Sequence, residues 1–390
     1  DSRLPDVVDI AAKGDVPEKK QRQNMILLSH VDANIAGDVF LSSESGVSDR
    51  SFGGLLVSDS DLAVNGQFVA STQASSQSRF KNNHGIWLSN AVVDAGSVDL
   101  TGSGGNSSSR GGNEGIFVAE SELYADQELT LRGFGGDGRR LVDGVVLRDS
   151  NLHSENGRVM IEGRGGNNAE SSMDGIQLLG DVSLSAASDV SLHGKAGHSR
   201  SPDEGAGIYI KGEKDGALID ADRVEMVGIG AKRDLESAWP KIENESVTYT
   251  IGVHAENLDL HATGDVNIKG KGGYGNQDLD GVALTNVTIQ SEGRVDLKGF
   301  SGYSDTMDQS TGVYLDRFNL SANTAGIYGR HSSKKDAPSG KKLDGIYIRN
   351  STIDVQDHFE AFGLPSKGGK VKNNAGIFAI DSNVIADSMV

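Results

Sequence analysis

Residues 280–299 read DGVALTNVTIQSEGRVDLKG. On both sides of Asn286 an apolar side chain occupies every second position, which is the pattern of a strand with one buried face. Similar segments recur about every 30 residues, and self-similarity at such a period indicates a repeat architecture rather than separate globular domains. The residues that open the successive copies are Met25, Gly54, Gly85, Gly115, Gly144, Gly175, Gly207, Gly252, Gly281, Gly312, Gly345 and Gly376.

Each copy contains three short stretches of alternating apolar residues, and no helical pattern lies between them. Three strands per copy predict a triangular coil, and stacked coils pair their strands in parallel at ~4.8 Å per coil. The sequence therefore predicts an all-β fold: a single-stranded parallel β-helix, a solenoid of about twelve triangular coils of about 30 residues each. We expect it to be right-handed, because parallel crossovers within one sheet nearly always are.

The repeat also predicts which side chains point inward and which residues turn the corners. Alternation places six aliphatic side chains in the core: Val118, Leu131, Leu147, Ile161, Leu284 and Leu297. The corner after the first strand needs a residue that tolerates left-handed backbone, and the sequence has there Asn90, Asp149, Asn257, Asn286, Asn350 and Asp381. Glycine often occupies the second corner, at Gly96, Gly157, Gly264 and Gly293.

The chain is expected to form one long domain, because a solenoid grows along one axis without enlarging its core. Residues 1–24 are expected to form a partial first coil and its loop, and residues 25–390 a continuous β-helix. An insertion at 229–250 lengthens the step from Gly207 to Gly252 to 45 residues, the one long step between lead residues. The insertion is either a binding loop or sequence drift that the fold tolerates. Neither end carries an evident polar cap, which predicts an excised segment of a longer chain.

The composition excludes several kinds of partner. The formal net charge of -18 argues against nucleic acid, whose phosphates need a basic surface, and against adsorption to an anionic membrane. No apolar run approaches the ~20 residues that span a bilayer, so no membrane insertion is expected. Cysteine is absent, which favours an exported protein and excludes disulfide and thiolate chemistry.

No cofactor, metal or catalytic residue is predicted. The segments at 135–138 and 272–278 resemble calcium-binding β-roll repeats, but the copies are not in tandem. Four aspartates that precede lead glycines are interpreted as solvated turn residues: Asp143, Asp174, Asp280 and Asp344. An enzyme remains the rival class, because right-handed β-helices include polysaccharide lyases and glycosidases, although no carboxylate pair or lyase-type acidic cluster stands out from the repeat.

One position of the repeat carries an unexpected residue type. Two residues after each lead glycine, alternation turns the side chain out of the core, where a polar residue is the norm. The chain instead places six aromatic residues there: Trp87, Phe117, Tyr209, Tyr314, Tyr347 and Phe378. Either the loops bury these rings as a satellite core, or the rings form an exposed strip that binds sugars or another rod. These six residues, with Trp239 in the insertion, are the candidate ligand-binding residues.

The iterated unit exemplified by residues 280–299 resembles the haemagglutinin-type repeats of large two-partner-secreted bacterial exoproteins. That group includes filamentous-haemagglutinin-like adhesins and the contact-dependent growth-inhibition effectors. The resemblance implies a secreted rod on the bacterial cell surface that takes part in cell adhesion and virulence. It also implies an outer-membrane transporter as secretion partner and a receptor or glycan on a target cell as ligand. The segment would act as an adhesive region or as a spacer; the alternative is a β-helical polysaccharide lyase or glycosidase.

Overall fold

The computed structural model describes residues 7–14, 26–45, 53–74, 83–106, 112–138, 140–167, 172–199, 205–214, 216–233, 250–274, 278–302, 310–331, 343–366 and 375–390. Throughout these ranges the regular structure is β-strand. They contain no helix that is long and apolar enough to cross a membrane.

The strands follow one another in short, closely spaced runs. In chain order they are β1 (Val7–Gly14), β2 (Ile26–Ser29), β3 (Asp32–Ile35), β4 (Asp38–Ser45), β5 (Leu55–Gln73), β6 (Ile86–Ser103), β7 (Ile116–Ala119), β8 (Glu122–Ala125), β9 (Leu129–Phe134), β10 (Val145–Arg148), β11 (Asn151–Ser154), β12 (Val159–Arg164), β13 (Ile176–Leu179), β14 (Ser183–Lys195), β15 (His198–Ser199), β16 (Ile208–Lys211), β17 (Ala217–Ile229), β18 (Lys232–Arg233), β19 (Val253–Ala262), β20 (Val266–Lys271), β21 (Val282–Ser291), β22 (Arg294–Phe300), β23 (Val313–Asp316), β24 (Asn319–Arg330), β25 (Ile346–Arg349), β26 (Thr352–Leu364), β27 (Ile377–Ile380) and β28 (Asn383–Met389).

The strands pair in parallel and form three ladders. In the first ladder, the first strand pair is β2 with β5 and the last is β25 with β27. The second runs from β3 against β5 to β26 against β28, and the third from β1 against β4 to β26 against β28. Long strands such as β5 and β6 continue through a corner and contribute to all three ladders. The parallel strands therefore stack as a β-solenoid, which confirms the predicted all-β class and the parallel pairing.

The core is a continuous column of aliphatic side chains. All six side chains predicted to point inward are fully buried. The parallel register stacks aliphatic side chains on aliphatic side chains, so that Leu147 lies between Val118 and Leu178 of the neighbouring coils. Burial of each such side chain is worth about 1.5–3 kcal/mol, and this repeated burial stabilises the solenoid.

The first corner has the backbone predicted from the sequence. Asn90, Asp149, Asn257, Asn286, Asn350 and Asp381 have φ of 49°, 47°, 55°, 53°, 51° and 48°. The corner side chains also link coils, since the Asn286 amide donates to Asn257 Oδ1 at 2.7 Å. The second-corner glycines have no left-handed φ. At Gly157 glycine is needed for close approach, because a Cβ there would lie 2.1 Å from the Gln127 carbonyl oxygen.

Most of the insertion lies outside the described residues, namely 234–249. Before it, the short strand β18 pairs with β15, and the chain continues in the first ladder at β19. The binding-loop and drift interpretations of 229–250 both stay predictions.

Candidate functional site

The candidate residues of the first ladder share one register position. Parallel pairing aligns them coil after coil on the outer side of the ladder. We call this position the outer column, and its members are Leu27, Leu56, Trp87, Phe117, Val146, Gln177, Tyr209, His254, Ala283, Tyr314, Tyr347 and Phe378. None of them belongs to the solenoid core cluster. The predicted column therefore exists as a continuous row, but its parts differ in environment.

The C-terminal part of the outer column is a stack of three aromatic rings. The ring centroids of Tyr314 and Tyr347 are 5.4 Å apart with planes 9° apart. Tyr347 and Phe378 repeat this geometry at 5.3 Å and 16°. Both tyrosines are half-buried. These rings, which we call the C-terminal stack, form a partly buried apolar row on the outer side of the ladder.

The N-terminal aromatic residues are packed differently. The buried His84 ring stacks on Phe117 at 5.2 Å and meets Trp87 edge-on at the same distance. Nδ1 of His84 lies 2.6 Å from Oε2 of Glu114, which is also buried. The Arg148 guanidinium lies 5.5 Å from the centre of the Phe117 ring. His84 contacts both rings and Arg148 lies over Phe117, and the two rings are half-buried, as Tyr314 and Tyr347 are.

The middle of the column combines one aromatic pair with two small or polar buried residues. Tyr209 and His254 meet edge-on at 5.3 Å, and His254 Nε2 lies 3.2 Å from Glu256 Oε1. Gln177 precedes this pair and Ala283 follows it, both buried. The aromatic pair is therefore a second patch, separated from the C-terminal stack by Ala283.

The four aspartates that precede lead glycines are buried, so the expectation that they are solvated turn residues is wrong. Each carboxylate accepts a hydrogen bond from the backbone N–H one coil further along. Asp143 accepts from Asp174 at 2.6 Å, and Asp344 accepts from Ala375 at 2.7 Å. The two others accept from Ala206 and Thr311. Backbone pairing begins one residue later, at the lead glycine, so the side chain satisfies a donor that the ladder does not reach.

Burial changes the acidity of these groups. Desolvation raises the pKa of Asp280 to about 7, and the nearby Asp278 carboxylate adds to the rise. Burial, together with repulsion from Asp174 and Glu114, raises the pKa of Asp143 well above its usual range. Asp316 behaves in the opposite way, because the Arg349 guanidinium holds it at 2.6 and 3.0 Å and lowers its pKa.

Two clefts open along the outer column. One, of about 330 Å³, is lined by Tyr314, Tyr347, Asp280 and Arg349 among others. The other, of about 300 Å³, is lined by Asp174, Gln177, Tyr209 and Glu256 among others. Both clefts include Ile251 and His254 in their walls. The two clefts therefore share a wall and lie next to each other along the rod, and we call the pair the outer groove.

The sequence analysis missed a second outward-facing aromatic group, on the third ladder. Tyr328 and Phe362 stack at 5.5 Å with planes 14° apart, and Phe300 lies 5.7 Å from Tyr328. The signal was available, because Tyr328 and Phe362 share a register position with Lys298. It was weak, since two aromatic residues in one column do not stand out without the register.

Two remaining candidates lie outside the described residues. Trp239 falls within 234–249, and the β-roll-like segment at 272–278 includes 275–277. In the part of the chain that the structure describes, no group of three or more His, Cys, Asp or Glu side chains is arranged to hold a metal ion.

Comparison with known proteins gives no match: no family model fits the chain, and no curated protein or solved structure is similar to it. The likeness to haemagglutinin-type repeats therefore stays an expectation from the sequence pattern.

Proposed function

We propose that this chain is a segment of a secreted exoprotein displayed on a bacterial surface, of the haemagglutinin-repeat, two-partner-secreted kind. In this proposal about twelve coils of a right-handed β-helix form a rod roughly 60 Å long, which holds an adhesive face away from the cell. Its partners are an outer-membrane transporter during secretion and a receptor glycan on a target cell afterwards. The parallel stacking supports the proposal, because such a fold extends along one axis.

The observation that carries the adhesive role is the C-terminal stack. Apolar rings on the outside of a rod contribute nothing to the solenoid core, and contiguous exposed apolar surface marks interaction sites. Half-buried tyrosine rings can contact the apolar C–H groups of sugars, and their hydroxyls can hydrogen-bond to sugar hydroxyls. The cleft beside the stack adds carboxylates and a guanidinium, which bind the same ligand through its polar groups.

The test compares two pairs of stacked rings on the same protein. Tyr314→Ala with Tyr347→Ala removes the pair in the outer groove, and Tyr328→Ala with Phe362→Ala removes a similarly stacked pair on the third ladder. We expect the first double variant to lose binding to target cells and to immobilised glycans, and the second to keep it. Melting temperatures show whether each variant is folded. Equal binding by both variants and the wild type would contradict the adhesive role of the stack.

One observation favours the enzymatic alternative. Asp280 lines the groove beside Tyr314, and its pKa of about 7 is suited to a general acid at neutral pH. However, Asp280 accepts a backbone hydrogen bond in the same way as the other three buried aspartates, which supports a structural role. Release of reducing ends from a polysaccharide by the wild type, and its loss in Asp280→Asn, would favour the enzyme over the adhesin.

A further inference from the structure

The outer groove is long and follows the axis of the rod. Its floor is the outer column from Gln177 to Tyr347, which spans six consecutive strands of the first ladder. At ~4.8 Å per coil these strands extend over roughly 24 Å. A single terminal sugar would fill only a fraction of this length.

The floor of the groove has two aromatic patches in line. Tyr209 and His254 form the first, and Tyr314 and Tyr347 form the second. Ala283 lies between them in register, and its short side chain leaves the floor low at that point. A ligand that contacts both patches must therefore be an extended chain lying along the rod.

The charges that line the groove select against anionic ligands. Glu256 and Asp278 place partly exposed carboxylates in the two clefts, and the buried Asp174, Asp280 and Asp344 lie in the walls. The guanidinium that lines it, Arg349, is already neutralised by Asp316 at 2.6 Å. Carboxylate oxygens accept hydrogen bonds from hydroxyl groups and repel sulfates and uronates. Both features fit a chain of uncharged sugars.

We propose that the outer groove binds an extended, uncharged polysaccharide chain that runs parallel to the rod axis and contacts both aromatic patches. This inference rests on the proposed adhesive function and specifies its ligand. The two patches act as separate subsites, so that affinity depends on chain length.

The test uses an array of defined saccharides and calorimetry on the purified protein. The array carries uncharged chains (cellulose, mannan and chitin oligomers) and anionic chains (heparin, alginate and polygalacturonate). We expect binding to at least one uncharged chain and to none of the anionic ones. For the chain that binds, we expect the hexasaccharide to bind about 3- to 10-fold more tightly than the disaccharide, the range expected for one added aromatic contact.

Three single variants test the two subsites separately. Tyr347→Ala and Tyr209→Ala are each expected to weaken the hexasaccharide more than the disaccharide, because a disaccharide can still bind at the remaining patch. Tyr328→Ala, on the third ladder, is the control and is expected to change neither. Melting temperatures identify any variant that fails to fold.

The outcomes separate this inference from the proposed function. If di- and hexasaccharide bind equally and Tyr347→Ala abolishes both, the adhesive function stands and the extended groove is refuted. If no saccharide on the array binds but the C-terminal stack is still required for cell binding, the ligand is not a polysaccharide of this class and the inference is refuted alone. Preference for an anionic chain refutes it as well. If the stack variants keep both glycan binding and cell binding, the proposed function itself is refuted.

Discussion

The carboxylate of Asp143 accepts a hydrogen bond from the backbone N–H of Asp174, one coil further along the chain, at 2.6 Å. The same carboxylate accepts from the Ser172 hydroxyl at 2.9 Å. Asp174 repeats the contact with the following coil, by accepting from the N–H of Ala206. Side chains thus extend the hydrogen bonding between coils to the point where each loop joins the first strand.

We predict that Asp143→Ala destabilises the protein by about 1–3 kcal/mol, because it leaves a buried N–H without an acceptor. Asp143→Asn keeps a carbonyl oxygen in place and is expected to cost much less, since Asp143 already has a raised pKa and a neutral group suits the site. Urea unfolding of the two variants measures the difference. Equal stability of Asp143→Ala and Asp143→Asn would show that this contact contributes nothing.

The acidity of Asp280 predicts a pH dependence of stability. The pKa of this group is about 7 in the folded protein, against 3.8 for an unperturbed aspartate, so the folded state holds the proton more tightly between these pH values. The stability that it contributes is therefore complete below about pH 4 and is lost as the pH rises through 7. Asp280→Asn cannot ionise, so we expect it to exceed the wild type in stability at pH 8 by a few kcal/mol, on the order of 2–4.

The comparison with Asp280→Asn must be made at each pH, because His331 acts in the opposite direction. Burial lowers the pKa of His331 to about 4, so its contribution is lost as the pH falls from about 6.5 towards 4. The pH dependence of wild-type stability therefore combines the contributions of Asp280 and His331. A stability difference between wild type and Asp280→Asn that does not change from pH 4 to 8 would contradict the assignment to Asp280.

Strand periodicity and corner residues were predictable from the sequence because both depend on local rules. Alternation decides that Leu131 and Leu297 point inward, and left-handed backbone selects the asparagine at 286. The core and corner residues could be predicted without knowing how the loops fold. The outer column followed from the same alternation.

The environment of the outward residues was not predictable, because it depends on contacts between coils. Nothing in the repeat distinguishes Phe117, which contacts His84 and Arg148, from Tyr347, which stacks on Tyr314. The buried aspartates were missed for a similar reason. A charged residue beside a glycine is typical of a solvated turn, and only the register shows that Asp344 faces the N–H of Ala375.

The core column predicts a severe effect of one buried charge. Leu131 is fully buried in the third ladder, and we expect Leu131→Asp to abolish folding because the carboxylate would have no partner there. Thr101→Asp, on the outer side of the same ladder and in register with Arg132, is the control and is expected to fold. Circular dichroism distinguishes the two by the presence of the β-sheet spectrum. A folded Leu131→Asp protein would contradict the close packing of the core.

The first corner predicts an order of stability among three residues at one position. Asn286 has φ of 53° and its amide donates to Asn257 Oδ1 at 2.7 Å. Asn286→Ala keeps the left-handed backbone without the compensating bond, so we expect a loss of about 1–2 kcal/mol from backbone strain, with a further loss from the missing bond. Asn286→Gly removes the strain but also lacks the bond, and is expected to lie between alanine and the wild type. Chemical unfolding of the three proteins gives the order directly. If alanine were as stable as glycine, the strain at this corner would be negligible and the asparagine would act through its hydrogen bond alone.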